Sequence, residues 1–349
     1  VEQFELEDPL PDGAYNIGLI YNLKKGIRTK VIDEEAEYDS IDTITAIKSA
    51  LASKGHNVVL LEADRALPEN LKKARIDIAF NIAEGIGGRC REAQVPAMLD
   101  FFGIPYTGSD SATLLIALDK AMTKKFLSPL KIRTPRFALF APGDIIRKPR
   151  LQYPVIIKPN AEGSSKGISD SSIVMSYDEL REVLDRNFRL YGCPMMAEEY
   201  IEGREFTVGV LGNKGDIRVF PPMEIIFKKN NDKNFSIYSY NVKQNYEEYI
   251  EYKCPADLTP EQEKEMVRMS ETIFNALGCR DSARIDYRMS EDGKIYFLEI
   301  NPLPGLAPGY SDYPMLAEYS GIGYVDLING ILGAALNRLG MKDRGDQAR

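Results

Sequence analysis

Two carboxylates, an amide and a guanidinium occur near the C-terminus at spacings that gather them on one surface. Arg284-Ile285-Asp286-Tyr287 is followed, after a short interval, by Phe297-Leu298-Glu299-Ile300-Asn301-Pro302-Leu303-Pro304-Gly305. The runs Ala283 to Met289 and Lys294 to Ile300 are rich in aromatic and branched residues and read as strands. Ser290-Glu291-Asp292-Gly293 between them reads as a tight hairpin turn with Asp-Gly at its tip. Side chains alternate along a strand, so Arg284 shares a face with Asp286, and Glu299 with Asn301. A hairpin lays those faces side by side. Hard oxygen donors of this kind suit Mg²⁺, which takes few ligands from protein and the rest from phosphates and water. The same residues would also suit the solvent face of an ordinary half-buried hairpin.

A second segment favours the phosphate reading. Tyr153-Pro154-Val155-Ile156-Ile157-Lys158-Pro159 is a short apolar strand ending in a lysine, and Asn160-Ala161-Glu162-Gly163-Ser164-Ser165-Lys166-Gly167-Ile168 follows as a loop of small residues. Backbone N–H groups in such a loop can cradle phosphate oxygens, and the lysines supply positive charge. The loop matches neither a Walker A motif nor a dinucleotide fingerprint, and alone it would be a plain turn.

The elements that must position these groups follow from the rest of the chain. Its 349 residues, 44% of them hydrophobic, suffice for two or three packed domains, or one with large insertions. A net charge of −8 without a basic cluster argues against nucleic acid as a partner. No apolar run is long enough to span a membrane, and the acidic N-terminus is unlike a signal peptide, so the expected setting is cytoplasmic with no membrane partner. Cys90, Cys193, Cys254 and Cys279 are scattered and read as free thiols. His56 is the sole histidine and sits at a helix end leading into a strand, which removes His-based triads.

Three segments are predicted. Residues 1–109 alternate strand and helix, with strands at 15–21, 57–62 and 76–82 and helices at 40–52 and 92–102, implying an α/β unit with a parallel sheet. Residues 110–215 open with a helix over 110–127 carrying Asp119-Lys120, then hold strands, the Gly/Ser loop, a helix from Ser176 and strands at 195–201 and 204–211. Residues 216–349 hold a polar stretch from Lys228 to Gln244, a helix from Thr259 to Leu277, the acidic hairpin and C-terminal helices.

Asp119-Lys120, Lys158-Pro159, Glu162-Gly163-Ser164-Ser165-x-Gly167, Glu198-x-Tyr200-Ile201-x-Gly203-x-Glu205, Arg284-x-Asp286 and Glu299-x-Asn301-x-x-Pro304-Gly305 occur in one order and spacing. That set resembles the ATP-grasp carboxylate–amine ligases, most closely the D-alanine–D-alanine ligase group. The resemblance implies an N-terminal α/β domain followed by two α+β units that form an ATP-grasp nucleotide cleft. It implies ATP and Mg²⁺ as cofactors, with two ions and Mn²⁺ as an alternative metal, small amino-acid-like substrates and a homodimer.

Residue by residue, the resemblance implies that Lys120 and Lys158 hold phosphates, with Glu162 and Ser165 in the adjoining loop and Ser164 there as a catalytic residue. Glu198 would accept from the adenine amino group beside the backbone of Glu199 to Ile201, and Glu205 would bind ribose. Tyr200, Ile201, Ile168 and Leu298 would sandwich the ring, or simply fill core. Lys243 would reach the γ-phosphate from a mobile loop. Asp286, Glu299 and Asn301 would hold metal, and Arg284 would stabilise an oxyanion. The carboxylate would become an acylphosphate that an amine then attacks, under a lid that excludes water; the Gly/Ser loop and the stretch from Lys228 to Gln244 are the lid candidates.

The amino-acid half departs from the family. Its His-Gly pair is replaced within Asn81-Ile82-Ala83-Glu84-Gly85-Ile86-Gly87-Gly88-Arg89-Cys90-Arg91-Glu92, and its Glu-Arg-Glu-Val-Ser element by Glu34-Glu35-Ala36-Glu37-Tyr38-Asp39-Ser40. Gln244 replaces a tyrosine, and the loop after Gly305, with Tyr310 and Ser311, is longer and more aromatic. Glu37, Glu84, Arg91, Gly305, Tyr310 and Ser311 are the substrate candidates; Glu84, Arg91 and Glu92 would equally suit a solvated helix start. The expectation is an ATP-dependent ligase for which D-alanine pairs are poor substrates. The alternative is a nucleotide-binding regulator or scaffold without chemistry, which would have no need of both metal carboxylates and Arg284.

Overall fold

The computed structural model describes residues 13–26, 35–163, 166–167, 172–228, 235, 242 and 246–341. The first sheet is parallel, with β1 (Asn16–Tyr21) between β2 (Asn57–Glu62) and β3 (Ile78–Asn81). All of β3 is buried, as are Ile17, Leu19 and Ile20 of β1, because both faces of such a sheet are covered. One cover is the helix Ile41–Ala52, which turns Ile44, Ile47, Ala50 and Leu51 inward and is capped by the Ser40 hydroxyl accepting from the Thr43 N–H.

Two further sheets are antiparallel. β4 (Phe137–Phe140), β7 (Met195–Glu199), β5 (Val155–Pro159) and β6 (Ile173–Val174) form one in that order. The other runs β11 (Ile250–Lys253), β10 (Met223–Phe227), β8 (Gly203–Asn213), β12 (Ser282–Ser290), β13 (Ile295–Asn301), with β9 (Asp216–Val219) beside β8. The sequence reading divides the chain at residue 216. The third sheet instead begins at Gly203, because β8 pairs with β12 from Gly203↔Ser290 to Leu211↔Ser282.

Two helix expectations are corrected. The helix predicted over 110–127 is two helices, Ser111–Leu118 and Lys120–Leu127. Asp119 between them is extended (φ −83°, ψ 97°), and its carboxylate caps the second helix by accepting from the Met122 N–H. Continuous apolar content concealed the break, although aspartate is a favoured capping residue. The helix predicted from Glu92 begins as a 3₁₀ turn, Arg91–Ala93, and becomes α-helical at Gln94.

The C-terminal segment closes over the first sheet. Leu327, Ile328, Ile331, Leu332 and Ala335 of the helix Tyr324–Leu339 share a core with Ile44, Ile47, Ile17 and Leu19. Asn329 Nδ2 ties that helix to the Ala50 carbonyl at 2.9 Å. A polar junction completes the closure at Asp281, which is fully buried with φ +64°. Its Oδ2 accepts from the Gly108 N–H and from Arg338, each at 2.8 Å, and its Oδ1 accepts from Asn213 at 2.8 Å. One carboxylate therefore joins the end of the first unit, the end of β8 and the last helix. Asp281→Ala is expected to lower stability by about 3 kcal/mol, since Arg338 and a backbone N–H lose their acceptor. Denaturant unfolding measures it, and an unshifted midpoint would show that the junction is energetically neutral.

Candidate active site

The hairpin sets Arg284 opposite Asn301 and Asp286 opposite Glu299. A bulge between Asp286 and Tyr287 then leaves Leu298 without an opposing residue. Arg284 grips Asp286 with both ends of its guanidinium, Nε to Oδ1 at 3.0 Å and Nη2 to Oδ2 at 2.8 Å. Its Nη1 lies 3.3 Å from Asp312 Oδ2, and Tyr252 donates to the other Asp312 oxygen at 2.9 Å. Thr207 Oγ1 donates to Asp286 at 2.8 Å, and Asn301 Nδ2 lies 3.3 Å from the same carboxylate. Burial raises Asp286 above the usual carboxylate range, although Arg284 opposes the rise. Burial also opposes charge on Arg284, but Asp286 and Asp312 outweigh it and push the guanidinium further up.

The lysines extend this array. Lys120, first residue of its helix, lies 3.1 Å from Glu299 and donates to the Glu162 carbonyl at 2.5 Å. Arg89 fixes the break before it, donating to Asp119 at 3.0 Å. Burial works against ionised Glu299, yet Lys120, Lys158 and Arg284 prevail and hold it at about 2. Glu198, 1% exposed, lies between Lys158 at 2.8 Å and Lys124 at 2.6 Å. Burial disfavours its charge, but the two lysines lower it below the usual range. Lys124 went unnoticed in the sequence; its position one helical turn beyond Lys120 was the available signal. It also reaches Thr134 Oγ1 at 2.7 Å and the Phe297 carbonyl at 3.3 Å, so it spans both antiparallel sheets, and burial drops it to about 8. Glu205, raised by burial despite Arg288, accepts from Arg288 at 3.0 Å. Arg288 in turn holds the Ile201 carbonyl at 2.8 Å and lies 4.6 Å from the Tyr200 ring centre. Tyr200, Ile201 and Leu298 are half-buried. The Glu199 side chain accepts from the Gln152 N–H at 2.8 Å.

A cavity of about 350 Å³ opens beside the hairpin face. Lys120, Arg284, Glu299 and Asn301 line it, as do Glu37, Asp39, Glu84 and Glu92, together with Gly305, Tyr310 and Ser311. A methyl group at Gly305 would come within 2.8 Å of Ser311 Oγ, which explains the glycine. Lys158, Glu198 and Glu205 lie off this cavity. Glu37 also braces the phosphate-type loop, since its Oε1 accepts from Arg91 and from the Gly163 N–H, each at 2.5 Å. Arg91 corrects an expectation. It is 5% exposed, lies outside the cavity lining and donates to Glu37 and to the Ala161 carbonyl at 2.8 Å, so it clamps the loop instead of facing the cavity. Ser164, Ser165, Ile168 and Lys243 lie outside the described residues.

Among the described residues, no three His, Cys, Asp or Glu side chains gather to enclose a metal ion. Two opposed carboxylates and an amide remain, Asp286, Glu299 and Asn301. That partial oxygen set fits magnesium, whose other ligands come from phosphate and water. No helix among the described residues is long and apolar enough to cross a membrane.

Comparison with known proteins agrees with this arrangement. Residues 130–333 match the family model described as D-ala D-ala ligase C-terminus. A D-alanine–D-alanine ligase of Aquifex aeolicus is 35% identical over 298 residues, covering 84% of this chain and 94% of that protein. One from Carboxydothermus hydrogenoformans is 33% identical over 321 residues, covering 89% and 97%. The crystal structure of a D-alanine–D-alanine ligase from Bacillus anthracis superposes with a TM-score of 0.74 at 24% identity, over 96% of this chain and 100% of that one. The cleft between two antiparallel sheets is thus an ATP-grasp fold, and the chain belongs to the D-alanine–D-alanine ligase family of ATP-dependent ligases.

Proposed function

We propose that this ligase activates an amino-acid-like carboxylate in the cavity beside the hairpin and joins it to a second substrate's amine. The observation that carries the reading is the single face of Arg284, Asp286, Glu299 and Asn301, three of which line that cavity, with Lys120 bonded to Glu299. Transfer of the ATP γ-phosphoryl group to the carboxylate releases ADP. The amine then attacks the acyl carbon, phosphate leaves, and the amine loses a proton. Asp286, Glu299 and Asn301 would hold magnesium, as two ions that Mn²⁺ could replace, and the metal would supply neutralising charge for the transferring group.

The protein's own groups have distinct tasks in this reading. Lys120 and Lys158 meet phosphate oxygens, exchanging their bonds to Glu299 and Glu198 for charge-assisted ones. Arg284, fixed in orientation by Asp286 and Asp312, is aimed to stabilise the oxyanion that forms when the amine adds. Glu205 binds ribose and Glu198 the adenine edge, with Tyr200, Ile201 and Leu298 against the ring. Ser164 and Lys243 would take part in catalysis, and Ser165 and Ile168 would contact the nucleotide. A regulator without chemistry would have no use for this convergence of oxyanion arginine and metal carboxylates.

Three outcomes test the assignment. Glu299→Gln is expected to cut turnover about 100-fold or more, the scale for losing one preorganised charge at the reacting centre, a far larger effect than the fall in thermal midpoint that comes from leaving Lys120 without its carboxylate. Wild-type turnover at ordinary magnesium would remove the metal role. Glu205→Ala should weaken ADP binding in calorimetry by roughly 1–3 kcal/mol; unchanged affinity would place the ribose elsewhere. D-alanine pairs are expected to give kcat/KM below about 10⁴ M⁻¹s⁻¹, because the acidic lining leaves polar groups unpaired beside a small substrate. Efficient D-alanyl-D-alanine synthesis would show that lining to be neutral in specificity.

A further inference from the structure

Glu84 and Glu92 both line the cavity and lie near enough for their charges to act on each other. Glu92 is only 8% exposed, and neither carboxyl has a hydrogen bond or ion pair with any described residue. The cations around them are committed elsewhere. Arg91 serves Glu37 and the Ala161 carbonyl, and Lys120 serves Glu299 and the Glu162 carbonyl. Lys166 pairs with Glu162 at 3.0 Å. Lys24 also lines the cavity, but it is exposed and its field acts on Asp39. The cavity lining therefore carries two carboxyls, Glu92 buried and Glu84 half-buried, in excess of its cations. Burial and mutual repulsion lift Glu84 well above the usual range, and burial lifts Glu92 to about 8 with Arg91 opposing and Glu37 adding. A folded protein keeps such a pair only at a cost unless a cation completes it.

Building on the ligase reading above, we infer that Glu84 and Glu92 form a specificity site for a substrate with a second positive charge, a diamino or guanidino amino acid. An amino acid with a neutral side chain brings one ammonium, which can satisfy one carboxylate and leaves the other unpaired. A basic amino acid brings two cations to two carboxylates. Sites built on buried polar groups reject analogues that leave them unpaired far more strongly than apolar pockets reject a missing methylene.

Norleucine is lysine without its ε-ammonium, and ornithine carries an ammonium where norleucine has its terminal methyl, so the set isolates the proposed contact. ADP release with ATP, magnesium and either amino acid, alone or beside a panel of second amino acids, measures the preference. Lysine, or ornithine or arginine, should exceed norleucine by about tenfold or more in kcat/KM, chiefly through KM. Glu84→Gln and Glu92→Gln should each lower that ratio by a similar factor, with calorimetric binding of lysine and norleucine as the readout independent of turnover. Release with neutral amino acids only would uphold the ligase reading and overturn this one. Release with none would overturn both. Variants that lower lysine and norleucine equally would show the pair to be a structural element, again against the proposal.

Discussion

The site depends on buried charge that cannot be left unpaired. Lys124 is enclosed between the two antiparallel sheets, touching Glu198 of one and the Phe297 carbonyl of the other. Glu198 is held in turn by Lys158, and Glu299 by Lys120. Removing one member of such a pair strands the other in a low-dielectric interior, at about 3–5 kcal/mol. The same groups that would meet a nucleotide therefore fix how the sheets face each other. Phosphate and purine do not arrive at bare charges; they enter by exchanging partners within a network that is already neutralised.

That network accounts for what the sequence could and could not disclose. The hairpin face was legible because strand alternation is a strict geometric rule: Arg284, Asp286, Glu299 and Asn301 converge as their spacing requires. The parallel first sheet was legible for the same reason, its helices and strands having distinct periods. Arg288 shares the alternation with Arg284 and Asp286, yet its contacts to Glu205 and Ile201 join strands far apart in sequence. Asp312 opens a helix in the loop after Gly305, while its carboxylate reaches Arg284. Such roles depend on which strand lies beside which, and no local pattern encodes that.

The errors have physical causes as well. Asp119 looked like one more polar residue in a long helix, because apolar periodicity continues across it; the break appears only when Arg89, from the first unit, takes up its free oxygen. Arg91 looked like a substrate contact because it stands in a charged, glycine-rich stretch. It is instead drawn inward by Glu37 and the Ala161 carbonyl, while the neighbouring Glu84 and Glu92 face the cavity. In a dense charge cluster, composition gives the chemistry of the neighbourhood, and packing decides which member is exposed to a ligand.

The shared core between the first sheet and the C-terminal helices bears on how such an enzyme can be recombined. Ile44 and Leu19 are covered by Leu327, Ile331 and Leu332, from the opposite end of the chain. Transplanting the first 109 residues onto another cleft would uncover both surfaces unless the helix Tyr324–Leu339 travelled with them. Chimeras meant to exchange substrate preference must therefore be cut as a discontinuous piece, with two crossover points chosen around a common interior. The chain's order of segments is linear, but its units of inheritance are not.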